Sequence, residues 1–79
     1  LQMEVCDDVA AQLAGGEDRI VGVMVESHLV DGRQDISPDK PLVYGQSVTD
    51  ACINWDDSVI VLDRLAAAVR ARRVAEAAQ

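Results

Sequence analysis

The chain has few aromatic and few basic side chains, which excludes the usual nucleic-acid-binding surfaces. Its 79 residues include one Trp, one Tyr and no Phe. Platforms that stack single-stranded bases need more aromatic rings than these. Seven basic side chains stand against 14 acidic ones, for a formal net charge of −7, and a negative field repels phosphate backbones. The sequence therefore predicts no binding to nucleic acid.

Long apolar runs and secretion signals are also lacking. No apolar run reaches the length of about eighteen residues that reads as a membrane span, and no basic leader precedes a hydrophobic stretch. We therefore expect no membrane contact and a cytoplasmic location. In that compartment Cys6 and Cys52 are predicted to be reduced thiols, with a disulfide between them as the alternative.

A first amphipathic helix is predicted over residues 1–14. Apolar side chains recur at helical spacing from Met3 to Leu13, and Gly15-Gly16 supplies a left-handed stop. No Ser, Thr, Asp or Asn cap precedes this pattern. Since the chain starts with Leu1 inside a helical pattern, we expect it to be a piece of a larger protein.

A second helix is predicted over residues 56–73, opened by Asp56 or Asp57 as its cap. Trp55 beside it is interpreted as a packing anchor, and the tail after residue 73 is expected to fray. The predicted apolar stripe consists of Val61, Leu62, Leu65 and Val69. The basic end is interpreted as solvated, with an anion-binding patch as the alternative; it consists of Arg70, Arg72 and Arg73.

Two short strands are predicted between the helices, over residues 20–26 and 48–52. The first is continuously apolar, which is typical of a parallel strand covered on both faces. Residues 27–47 are rich in Gly, Pro and polar side chains, and loops of this length in compact domains are usually functional or disordered. Because two strands cannot cover their own edges, this order of helix, strand, long loop, strand and helix again indicates part of a larger fold.

Each predicted strand ends near a carboxylate, Glu26 in one case and Asp50 in the other. In closed parallel barrels the chemistry gathers at the carboxyl-terminal rim of the strands. Neighbouring strands lie ~4.8 Å apart, so two carboxylates on adjacent rim positions could share one divalent cation. The alternatives are that Glu26 forms an ion pair and that Asp50 caps a turn.

His28 and Cys52 each lie two residues beyond one of these carboxylates, and hence on the same side of an extended strand. They make a mixed metal site possible without requiring one. The plainer interpretation is a solvated His28 and a small buried Cys52.

Several blocks of the chain resemble one enzyme family. These are residues 22–32 (GVMVESHLVDG), residues 44–52 (YGQSVTDAC) and Trp55, with further likeness in the helices over residues 2–6 and 65–73. They are similar to the C-terminal segment of class I 3-deoxy-D-arabino-heptulosonate 7-phosphate (DAHP) synthases. The likeness covers nearly the whole chain except its tail.

The resemblance implies the C-terminal part of a (β/α)8 TIM barrel within a homo-oligomeric enzyme. Such enzymes condense phosphoenolpyruvate with erythrose 4-phosphate, releasing phosphate, in the first step of the shikimate pathway. They hold a divalent metal, which could be Mn, Fe, Co or Zn, with a Cys, a His, a Glu and an Asp. Glu26 and Asp50 match the glutamate and the aspartate of that set, and the aspartate also lies beside the aldose substrate.

This chain departs from the family pattern in what it lacks. The metal-binding Cys and His, the cations that grip the phosphates and the regulatory region would lie elsewhere, and Asn54 replaces an expected glycine. The resemblance assigns no catalytic side chain here, so we expect the isolated segment to be inactive. The rival interpretations are a non-catalytic acidic module that binds a metal or a partner, and the remnant of a truncated gene.

Overall fold

The computed structural model describes residues 1–78 and contains two helices in that range. Helix α1 spans Gln2–Ala14 and helix α2 spans Trp55–Ala77. The residues form two compact units, one made of Leu1–Met24 and the chain from Val59 onward, the other of Val25–Ser58. Both predicted helices are confirmed.

The first unit contains α1 and most of α2, joined by a salt bridge of 2.6 Å between Asp7 and Arg64. Helix α1 ends as predicted at the glycine pair, with Gly16 at a φ of 104° and its amide donating to the Leu13 carbonyl at 3.0 Å. The buried apolar side chains are Cys6, Leu13, Val61 and Ala68. This core is small and made mostly of small side chains.

Helix α2 is capped by Asn54 and not by the predicted aspartates. The Asn54 side-chain oxygen accepts a hydrogen bond from the Asp57 backbone N–H at 2.8 Å, which is how an N-cap satisfies an exposed helical amide. At its other end the helix continues four residues beyond the predicted residue 73. The fraying prediction was wrong up to Ala77 because Ala and Glu in this turn favour helix, and Arg72 pairs with Glu76 at 3.8 Å.

The two predicted strands, residues 20–26 and 48–52, do not form within the described residues 1–78. A strand exists only where its backbone pairs along a neighbour, and here the pairing is reduced to isolated bridges. The expected burial is missing as well, since Val21 is 96% and Met24 84% exposed. The apolar pattern of these residues is suited to a buried strand, but this chain provides neither the pairing partner nor the cover that a buried strand needs.

The second unit is built from the long loop and the segments on either side of it. Three bridges organise it, Ser27 with Ile53, Gly32 with Cys52, and Arg33 with Ser47. Ser47 and Ser58 are its buried polar residues. Neither of the two described helices is long and apolar enough to cross a membrane.

Candidate functional site

The parallel bridge between Ser27 and Ile53 joins the segment that carries Glu26 to the segment that follows Asp50. The Ile53 amide donates to the Glu26 carbonyl, and the His28 amide donates to the Ile53 carbonyl, both at 3.0 Å. The two segments are therefore adjacent, but they pair at one position only.

The register of this bridge decides which residues lie side by side. With Ser27 opposite Ile53, Glu26 lies opposite Cys52. Asp50 precedes Cys52 by two residues and lies in a bend over residues 48–50. Glu26 is half-buried and Asp50 is exposed. The bridge thus joins the segment of Glu26 to the residues that follow Asp50, and the convergence of the two carboxylates on one ion stays a prediction.

His28 and Cys52 are engaged locally. The His28 Nδ1 accepts a hydrogen bond from the Leu29 backbone N–H at 2.8 Å, and His28 is exposed. The Cys52 thiol donates to the Asp50 carbonyl at 3.5 Å, and both cysteines are free, as predicted. Among residues 1–78 no group of three or more His, Cys, Asp or Glu side chains is arranged to hold a metal. The described chain therefore offers at most two ligands to one ion.

The Gln34 side chain connects the two halves of the long loop, because it both donates hydrogen bonds to the backbone and accepts one from it, as a paired strand residue would. Its side-chain amide donates to the carbonyls of Val43 and Gln46 at 2.8 and 3.1 Å, and its side-chain oxygen accepts from the Val43 N–H at 2.9 Å. Its own backbone N–H donates to the Ser47 carbonyl at 2.8 Å. No feature of the sequence announces this role, because a Gln in a polar loop is ordinarily solvated.

Arg33 reaches the residue directly before Asp50. Its Nε donates to the Thr49 carbonyl at 2.8 Å, and its Nη2 pairs with Asp35 at 2.6 Å. Ser47 receives the Thr49 backbone N–H on its hydroxyl at 3.1 Å. The turn that presents Asp50 is therefore held at several points.

Two predictions about side chains outside this region were wrong. Trp55 is 60% exposed and is no packing anchor. Arg72 is not solvated with its neighbours, because its Nη1 donates to the carbonyls of Glu17 and Ile20 at 3.0 and 3.4 Å. Arg70 and Arg73 are exposed, as predicted.

The chain is similar to enzymes of one kind over nearly its whole length. It is 60% identical over 72 residues to the phospho-2-dehydro-3-deoxyheptonate aldolase, Phe-sensitive, of Escherichia coli K12, which covers 91% of this chain and 21% of that one. The phospho-2-dehydro-3-deoxyheptonate aldolase of Haemophilus influenzae is 60% identical over 74 residues, which covers 94% of this chain and 20% of that one. The chain thus spans about one fifth of the length of these relatives.

A solved structure agrees with these matches. The phospho-2-dehydro-3-deoxyheptonate aldolase of Francisella tularensis SCHU S4 superposes with a TM-score of 0.83 at 48% identity, over 90% of this chain and 20% of that one. The placement of the segment at the C-terminal end of its parent stays a prediction. The profile of the DAHP synthetase I family matches residues 1–63, and the chain therefore belongs to that family.

Proposed function

We propose that the chain is a segment of a DAHP synthase, a metal-dependent transferase that condenses phosphoenolpyruvate with erythrose 4-phosphate. Membership of the DAHP synthetase I family is the observation that carries this proposal. The parent is a cytoplasmic (β/α)8 barrel of aromatic amino acid biosynthesis that assembles as a homo-oligomer. The segment alone does not catalyse the reaction, because one fifth of the enzyme cannot surround two substrates.

In this proposal Glu26 and Asp50 are two of the metal ligands, and Asp50 also lies beside the aldose. The bridge between Ser27 and Ile53 supports it, because it holds the two carboxylate-bearing segments together. Carboxylate oxygens suit Mn, Fe, Co or Zn when other side chains complete the site. The described residues hold no group of three or more His, Cys, Asp or Glu side chains arranged around one ion, so in this proposal other parts of the enzyme supply the remaining ligands. The bound ion would polarise the aldehyde.

Exposed apolar surface supports the view that the segment belongs inside a larger structure. Val21, Met24 and Ile36 are exposed by 96, 84 and 72%. Val, Met and Ile are among the residue types most often buried in folded proteins. The rest of the barrel would cover these residues and would supply the hydrogen-bonding neighbours that residues 20–26 and 48–52 need in order to become strands.

An exchange chimera tests the proposal. In it, the 72 aligned residues of the Phe-sensitive Escherichia coli relative are replaced by the corresponding residues of this chain. We expect phosphate release from phosphoenolpyruvate that depends on erythrose 4-phosphate and on a divalent metal, and that a chelator abolishes.

Single substitutions in the exchange chimera test the assigned ligands. Glu26→Gln and Asp50→Asn keep the side-chain volume but remove the charge, and each should weaken Mn²⁺ binding, measured by calorimetry, at least tenfold. The matched control is Asp63→Asn, an exposed acid on α2, which should leave Mn²⁺ binding unchanged. Full activity and full Mn²⁺ affinity in a Glu26→Ala, Asp50→Ala double variant would refute the proposal.

A further inference from the structure

Asp50 is bracketed by hydrogen bonds to a single tripeptide, residues 32–34. Before it, the Ser47 carbonyl accepts a hydrogen bond from the Gln34 backbone N–H, and the Thr49 carbonyl accepts one from the Arg33 guanidinium, both at 2.8 Å. After it, Cys52 exchanges two backbone hydrogen bonds with Gly32, at 2.8 and 3.1 Å. Residues 32–34 therefore hold the backbone on both sides of Asp50.

The Gln34 side chain helps residues 32–34 to hold the backbone around Asp50. Its amide fixes both polar groups of the Val43 backbone and the Gln46 carbonyl. These residues lead directly into Ser47, whose carbonyl the Gln34 backbone N–H holds. If the side-chain amide is lost, residues 43–46 keep only the hydrogen bonds from Val30 to the Gly45 carbonyl and from the Gln46 side chain to the Asp31 carbonyl. Ser47 is then left with a weaker connection to residues 32–34.

We propose that Gln34 is a positioning residue for Asp50: by clamping residues 43–46, it fixes the turn that aims the Asp50 carboxylate. This inference rests on the proposed function, in which Asp50 contacts both the metal and the aldose. Gln34 itself touches neither. A displacement of about 1 Å at a reacting group can cost on the order of 100-fold in rate, so a clamp of this kind has a measurable effect on the chemistry.

The test is Gln34→Glu in the exchange chimera. The substitution keeps the shape of the side chain and its acceptor for the Val43 N–H, but it replaces the two N–H donors by an oxygen that repels the Val43 and Gln46 carbonyls. We expect the KM for erythrose 4-phosphate to rise about tenfold and Mn²⁺ to bind more weakly by calorimetry, while the KM for phosphoenolpyruvate stays within about twofold. Hydrogen exchange at the Gln34 backbone amide should accelerate.

Two further variants keep the proposal testable. Arg33→Met removes the hydrogen bond to Thr49 without touching the Gln34 clamp. It should raise the KM for erythrose 4-phosphate and leave that for phosphoenolpyruvate unchanged, and it tests the same turn if Gln34→Glu does not fold. Gln12→Glu, an amide on α1 whose contact with Asp8 is exposed and 3.5 Å long, is the matched control and should change neither KM.

The outcomes separate this inference from the proposed function. Unchanged KM values in a folded Gln34→Glu variant, or an equal rise for both substrates, would overturn the positioning role of Gln34. If Gln34→Glu does not fold, the same results in Arg33→Met would overturn it. Activity that survives the Glu26→Ala, Asp50→Ala double variant would overturn the proposed function instead, whatever the loop variants do.

Discussion

Gly45 is the position in the long loop where a single methyl group should cause most damage. Its φ of 81° lies in the left-handed region, which L-residues with a side chain rarely adopt. A Cβ added here would lie 2.9 Å from the Cβ of Leu29 and 3.2 Å from its Cδ1. The closer atom is fixed to the backbone, so rotation of the Leu29 side chain cannot remove the overlap.

The cost of Gly45→Ala follows from these two effects. The left-handed conformation costs about 1–2 kcal/mol for a non-glycine residue, and overpacking costs about 1–3 kcal/mol. Their sum is about 2–5 kcal/mol, which corresponds to an increase of about 30-fold to several thousand-fold in the equilibrium constant for opening of the loop. Gly32→Ala is the matched control, because Gly32 has a similar φ of 83° but only an ordinary contact, with the Gln46 Nε2 at 3.6 Å. It should cost the conformational share alone, about 1–2 kcal/mol.

Hydrogen exchange in the exchange chimera measures both costs. The reporter is the Val30 backbone N–H, which donates to the Gly45 carbonyl at 2.9 Å, so its protection reflects the closure of the loop. We expect Gly45→Ala to accelerate exchange at this amide clearly more than Gly32→Ala does. Equal acceleration by the two variants would refute the role of the Leu29 contact.

Three further predictions concern the helices and the connector between α1 and residue 20. Asn54→Ala should destabilise α2 by about 1 kcal/mol, whereas Asn54→Gly should cost only a few tenths; chemical denaturation of the exchange chimera compares them, and equal costs would contradict the cap. Arg72→Met leaves the Glu17 and Ile20 carbonyls without a donor and should cost about 1–3 kcal/mol, while Arg73→Met should be near neutral in the same assay. Hydrogen bonds from the Arg19 side chain, and then from its backbone N–H, lower the pKa of Glu17 from 4.5 to about 2. The stabilisation from Glu17 is therefore present above pH 4.5 and is lost as the pH falls towards 2, so the difference in stability between the parent and Glu17→Gln should shrink over that range; a constant difference would contradict the pairing.

The helices could be predicted from the sequence because their signals are local. Apolar residues at helical spacing indicate both helices, and the glycine pair marks the end of α1. Each of these signals lies within or directly beside the helix that it predicts. The cap was missed because Asn54, Asp56 and Asp57 are all suitable residue types. Only the path of the chain decides which of them meets a free helical amide.

The strands could not be predicted correctly because a strand depends on partners that are distant in sequence. Residues 20–26 have the composition of a buried strand, yet Val21 and Met24 are exposed where no neighbour lies along them. The roles of Gln34 and Arg33 were missed for the same reason, since their acceptors lie 9 to 16 residues away. The strand pattern alone singled out Glu26 and Asp50 as candidate carboxylates, and the resemblance to a family added their match to the glutamate and the aspartate of a metal site.

The most direct test is a crystal structure of the exchange chimera with Mn²⁺ bound, in which anomalous scattering locates the ion. We expect a carboxylate oxygen of Glu26 and one of Asp50 each to lie about 2.0–2.2 Å from the ion, the range typical of metal–carboxylate bonds. An ion bound elsewhere, or bound by only one of these two residues, would contradict this expectation.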